Sequence, residues 1–256
     1  MSPPSSVFIA GIVFLCTFGS GLAGLYLHER VPQHHREGDS KDVVKLVMGL
    51  MATLSALVLG LLISSAHRAY EAQQAEVQQI AVHLFQLDRA LARLGPDARR
   101  TRDLLRRIVK AEVDRAAETG GIQRAIETPI EAQRAATLMF EHIVAVKPAD
   151  EAQRFVQARA LELLGSLGDT RLLLAEQART AISWPFLVVL VFWLAMLFVG
   201  FGLFARRNAT LVAALLLGAL SVSGAVFLIL EMNRPDTGMM QVSIDPIRYV
   251  LIRMDQ

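Results

Sequence analysis

Four stretches without a single Asp, Glu, Lys, Arg or His divide this chain: residues 7–27, 46–66, 186–204 and 209–230. A hydrocarbon core about 30 Å thick is crossed by about 20 helical residues rising about 1.5 Å each. Each run has that length, so each is a transmembrane helix candidate. The fold expected is an all-α integral membrane protein, with four spans in a 2+2 arrangement and a helical soluble domain between the pairs.

Composition agrees with lipid as one of the solvents. A mean hydropathy of +0.41 with 53% hydrophobic residues exceeds what an ordinary soluble domain carries. A net charge of +2 gives no support to a nucleic-acid partner. Cys16 is the single cysteine, which excludes an intrachain disulfide. The bulky Leu15 before it argues against a lipoprotein site. The residues ahead of the first run hold no Lys or Arg, and the run exceeds a signal-peptide core of about 7–15 residues, so an uncleaved helix is expected.

The boundaries that follow are 1–66 for the first pair of spans, 67–183 for a soluble helical bundle, 184–230 for the second pair and 231–256 for a C-terminal tail. Gly95-Pro96, Gly120-Gly121, Pro129 and Pro148 punctuate the bundle into helices near 67–94, 97–118, 130–146 and 149–182. Nothing breaks the chain between the second span and the first of these. Ile63, His67, Tyr70, Gln74 and Val77, then Ile80, Leu84, Leu87, Leu91 and Leu94, recur at helical spacing, which predicts one continuous helix of almost 50 residues. Leu161, Leu164, Leu167, Leu174 and Ala178 form a similar stripe ahead of Trp184-Pro185, an interface anchor and start signal for the third span. Arg99, Arg100, Arg102, Arg106 and Arg107 alternate with acids and read as a solvated, ion-paired face.

The short loops carry Arg30, Arg36, Lys41, Lys45, Arg206 and Arg207, against Arg234, Arg248 and Arg253 in the tail. Counting Arg68, Arg171 and Arg179 beside the spans balances the two sides, so charge selects no orientation.

No Ser/His/Asp motif, Gly-rich phosphate loop or cysteine metal site is present, and neither an enzyme nor a cofactor is expected. His28, His34 and His35 lie near Glu29, Glu37 and Asp39, but without regular ligand spacing, and a solvated loop is preferred to a zinc or pH-sensing cluster. Asn208-Ala209-Thr210 has the form of a glycosylation acceptor but abuts a span. The spans lack the ionisable residues that proton-coupled transport and voltage sensing place at membrane depth.

The second span carries the one suggestive surface. Gly49, Thr53, Ala56, Gly60 and Ser64 continue from Lys45 at spacings of four and three, a small and weakly polar stripe on one face. Such a stripe is a seam for close helix packing or the lining of a water-filled path, and the packing reading is preferred from the stripe alone. The fourth span repeats the theme at Ala214, Gly218, Ser221 and Ala225. Lys45 stands at one membrane boundary and Glu231, Asn233 and Arg234 at another, as a boundary ion pair or a charged mouth.

Four segments are similar to the bacterial bestrophin-like family: DVVKLVMGLMATLSALVLGLLISSA (42–66), GPDARRTRDLLRR (95–107), PFLVVLVFWLAMLFVGFGLFARRNAT (185–210) and ALSVSGAVFLILEMNRP (219–235). With their spacing they cover nearly the whole chain. The resemblance implies a multi-pass protein of the bacterial inner membrane, homo-oligomeric and pentameric in the bestrophins, passing inorganic ions, anions ahead of cations, through a pore lined by the second span. Bestrophin necks are rich in aromatics, whereas 46–66 holds no Phe, Tyr or Trp. The competing reading is a membrane-anchored scaffold or regulatory protein whose helical domain binds a partner.

Overall fold

A computed structural model describes residues 5–30, 39–119, 129–179, 184–205, 207–233 and 242–254. Among them every regular element is helical: α1 (Ser6–Arg30), α2 (Asp39–Arg93), a 3-10 turn (Pro96–Ala98), α3 (Arg99–Thr119), α4 (Pro129–Ala145), α5 (Glu151–Arg179), α6 (Trp184–Phe204), α7 (Ala209–Met232) and α8 (Asp245–Met254). Four of them, α1, α2, α6 and α7, are long and apolar enough to cross a membrane. A helix satisfies its own backbone hydrogen bonds, which lipid cannot do for it. His34, His35, Arg206 and Arg234 lie outside the described residues.

The chain divides into two units, Met1–Arg68 with Ile182–Asn233, and Ala69–Ala181 with Arg234–Gln256. The membrane unit is built on α1. Gly24 lets its backbone meet that of α6: a Cβ there would stand 3.0 Å from Val199 Cα and closer still to the Val199 carbonyl oxygen. A Cβ on Gly202 would stand 2.7 Å from Leu25 N, and nearer to the Gly21 carbonyl oxygen. Close approach of this kind is what holds helices together where the solvent is itself apolar. Two polar contacts fasten the same trio. Ser223 Oγ on α7 donates to the Ala10 carbonyl on α1 at 2.7 Å, and His28 Nδ1 donates to the Leu203 carbonyl near the end of α6 at 2.7 Å. Ile9, Val13, Leu187, Val226 and Leu230 pack at one level, and Leu25, Phe198, Leu215 and Ala219 at another.

α2 runs 55 residues without a proline, about 80 Å at 1.5 Å each. Its buried positions follow a single face: Ser55 and Ala66 in the membrane unit, then Gln73, Val77, Ile80, Leu84, Leu87 and Leu91 in the second, with Leu94 just past its end. The upper half of that series is the one expected from sequence. The lower half is displaced by one residue, because Ala66 and Gln73 are buried while His67 and Gln74 are exposed. Gly95, at φ 91°, then ends the run in a conformation that favours glycine.

In the second unit α3 lays Leu105, Val109 and Val113 onto a core shared with α2, α4 and α5. The stripe on α5 is also displaced, to Ala160, Leu163, Leu167 and Leu174, with Leu161 and Leu164 only partly buried. The Ala178 side chain lies outside what is described. Asp150 caps α5, its Oδ1 accepting from Gln153 N at 2.6 Å while Gln153 Oε1 accepts from Ala149 N at 2.8 Å, a reciprocal start. Gln157 Nε2 donates to the Ile143 and Val146 carbonyls and closes the end of α4. Sequence reading left 231–256 as a tail. Here Ile247, Val250 and Met254 of α8 complete the core.

Ion pairs cross this unit. Arg102 grips Asp88 through Nε to Oδ1 at 2.6 Å and Nη2 to Oδ2 at 2.8 Å, and Arg171 Nη2 meets Glu112 Oε2 at 2.6 Å. Arg102 therefore leaves the solvated face expected of it: its partner is 14 residues away on α2, and the Asp88 side chain is only 2% exposed. The hydrogen bonds to Asp88 raise the Arg102 pKa, against an opposing desolvation, and the Asp88 charge adds to the rise. A raised pKa places the stabilisation below the ordinary guanidinium range and loses it only as pH climbs through the raised value, so it is complete at neutral pH.

Replacing Gly202 by Ala drives a methyl group into backbone that has no rotamer to yield. It should destabilise the membrane unit by about 3 kcal/mol, the upper end for overpacking, read as a lowered unfolding temperature in detergent. Asp88→Ala should cost about 2–3 kcal/mol, less than a fully buried pair because the Arg102 side chain is 27% exposed, read as loss of helical circular dichroism at lower denaturant.

Candidate functional site

The membrane portion of α2 is held differently from its neighbours. Of its most apolar 18-residue window only 6% is buried, against 33%, 39% and 28% for α1, α6 and α7. It touches the rest of the unit through Met48, Met51, Ala52, Val58, Leu59 and Leu62, which pack on the cluster of Leu190, Leu194 and Leu197 of α6, a cluster that Val222 of α7 also joins.

The small stripe takes no part in that contact. Gly49, Thr53, Ala56, Gly60 and Ser64 are all exposed, and a Cβ added at Gly49 or Gly60 would meet nothing within 4 Å. Thr53 Oγ1 donates to the Gly49 carbonyl at 3.0 Å, which satisfies its hydroxyl inside the helix. At about 100° per residue the stripe is centred about 140° from the packing face. The direction opposite the packing face falls between this stripe and a ridge of Leu46, Leu50, Leu57 and Leu61, which is centred about 150° from the packing face on the other side. These leucines are 74%, 61%, 69% and 61% exposed. Thr53 and Ser64 sit where ridge and stripe meet. Sequence reading singled out the stripe and passed over the ridge, because leucine in a span carries no signal of its own.

Beyond Ser64 the exposed side of α2 carries Arg68, Glu71, Arg89 and Arg93. Arg89 lies over the Phe85 ring with its guanidinium carbon 5.7 Å from the centroid. At the other end of the span Lys45 pairs with Asp42 at 3.6 Å, both well exposed. Glu231 is buried, 4% exposed, at the end of α7, and the Asn233 side chain donates to the Ile229 carbonyl at 2.9 Å. Asn208 turns out to cap α7, its Oδ1 accepting from Leu211 N at 2.7 Å. Among the described residues no three His, Cys, Asp or Glu side chains gather as metal ligands.

The sequence matches the family model of the Bestrophin-like domain over residues 15–247. No functionally curated protein matches it. In fold it is similar to a bacterial bestrophin homologue from Klebsiella pneumoniae, seen in several singly substituted forms. One gives a TM-score of 0.71 at 14% identity over 99% of this chain and 100% of that one. Another gives 0.66 at 14% identity over 95% and 97%. A further solved structure, of a membrane protein carrying one substitution, gives 0.69 at 12% identity over 96% and 97%.

Proposed function

The chain belongs to the bestrophin-like family, and on that premise we propose that it is a homo-oligomeric ion channel of the bacterial inner membrane, with α2 around the pore. The observation that carries this reading is the near-complete exposure of the membrane portion of α2 in the single chain. A span that packs on its own unit by one face leaves three sides to be covered by lipid, by copies of itself or by water. In a ring of copies, five by the resemblance to bestrophins, the ridge of Leu46, Leu50, Leu57 and Leu61 faces the axis. Thr53 and Ser64 supply hydroxyls beside it. Gly49, Ala56 and Gly60 lie to the flank, where their lack of bulk admits a neighbouring α2 at close range. The stripe then divides between the two roles it suggested. Lys45 with Asp42 stands at one mouth. A leucine-lined path of this kind admits ions only when it is wide enough to stay wet. Anions are favoured because Arg68, Arg89 and Arg93 outnumber Glu71 on the exposed side of α2 beyond the span.

A second reading, a membrane-anchored scaffold with a partner-binding helical domain, draws on the exposure of Leu138, Phe140 and Phe155 in the second unit. Crosslinking in membranes that captures only copies of the chain counts against it.

In a Cys16→Ser background, Gly60→Cys should form disulfide-linked dimers on oxidation, whereas Ala52→Cys, turned onto α6, should not; non-reducing electrophoresis decides. Purified oligomer in planar bilayers under a salt gradient should conduct, with a reversal potential on the anion side. Leu57→Ser should raise the conductance by easing wetting of the path. Silence from a verified oligomer in every salt and at every pH would sink the channel reading.

A further inference from the structure

α6 is the wall between a locked half of the membrane unit and a loosely seated one. Gly202 and Gly200 are two residues apart, which sets them about 160° apart around the helix. Gly202 receives the backbone of α1. Gly200, buried on the other side, receives a side chain: a Cβ there would stand 2.5 Å from Met48 Sδ, and nearer to Met48 Cε. The Met48 thioether therefore fills a notch that exists because residue 200 has no side chain. From Val43 to Ala66, among the described residues, no hydrogen bond or ion pair joins α2 to another helix, and the one buried hydroxyl in that interval, Ser55 Oγ, has no partner. The remaining contacts are Met51, Ala52, Val58, Leu59 and Leu62 on leucines. Such a surface is adhesive without being directional, and methionine is the side chain best able to re-pack when its surroundings shift. One knob in one notch is then the feature that specifies how α2 is turned on α6.

We propose that Met48 seated on Gly200 is a positioning contact that sets the rotation of α2, and through it which α2 side chains face the pore; this rests on the reading of α2 as the pore helix. A rotation of α2 by about 70°, the angle between ridge and stripe, would exchange a leucine lining for one of Gly49, Ala56 and Gly60. That exchange widens the path and removes its most apolar wall. The contact thereby holds a conductance state without a charge, a metal or a hydrogen bond in the membrane.

The test uses the reconstituted oligomer carrying Cys16→Ser and a Leu57→Cys reporter, and reads the rate of modification by a water-soluble thiol reagent. Gly200→Leu fills the notch and Met48→Ala empties it. Each should change the rate by about tenfold, the size expected when an overpacked or hollowed contact is relieved by moving a helix. The swap Gly200→Leu with Met48→Ala keeps the volume and should return the rate toward that of the parent. If Gly200→Leu fails to assemble, Met48→Ala alone carries the test, since it adds no bulk. A reporter modified at the parent rate in every assembled variant overturns the positioning role and leaves the pore reading standing. A reporter that no reagent reaches with Met48 and Gly200 intact overturns the pore reading, and the proposal with it.

Discussion

In lipid an apolar side chain gains nothing by leaving its solvent, so helices stay together where their backbones come closest. In this chain that place is the meeting of Gly21 and Gly24 with Val199 and Gly202. The rest of the membrane unit follows from it. α1 is drawn flush onto α6, which brings Ala10 within reach of Ser223 and His28 within reach of the Leu203 carbonyl. Three spans are thereby fixed by contacts that tolerate no sliding. The fourth, α2, is left to the other face of α6 with side chains alone to hold it.

Outside the membrane the balance of forces reverses. Water makes burial favourable, and the same helix that is barely covered in the membrane unit sends Val77, Ile80, Leu84, Leu87, Leu91 and Leu94 into a continuous core. Directional contacts appear here too. Asp88 on α2 holds Arg102 on α3, and Glu112 on α3 holds Arg171 on α5. Buried charges of this kind fix which residue opposes which, a specificity that a leucine core lacks. α2 is thus sharply specified along one part of its length and loosely along the other.

Much of this was legible in the residues. Charge-free runs of the right length gave the spans, and proline and glycine punctuation gave the soluble helices to within a few residues. The continuity of α2 was visible because no breaker interrupts it. The rotation of the stripes was less visible. Choosing between Ala66 and His67, or Leu163 and Leu164, turns on a step of about 100°, which neighbouring apolar residues blur. α8 escaped notice because ten residues with Ile247, Val250 and Met254 on one side are too short a pattern to stand out in a tail. The Asp88–Arg102 pair was hidden by its neighbours, since a run of arginines reads as solvated until tertiary structure selects one of them. As for the candidate surface, sequence found the small residues, which are conspicuous among leucines. It had no means of telling which leucines face away from α6, because that depends on which face α6 takes.

The exposed leucine ridge of α2 has a consequence for how a single subunit sits in its surroundings. A soluble subunit with such a surface would aggregate before it met its partners. In a bilayer Leu46, Leu50, Leu57 and Leu61 are solvated by acyl chains at no cost, so a lone subunit is a stable, mobile species and not a misfolded one. If copies assemble through the flank of Gly49, Ala56 and Gly60 as proposed, association exchanges lipid contacts for protein contacts of nearly equal strength. The equilibrium of that proposed assembly would be set by how well acyl chains of a given length and saturation fill the grooves of the flank, and the lipid composition of the host membrane would be a term in its constant.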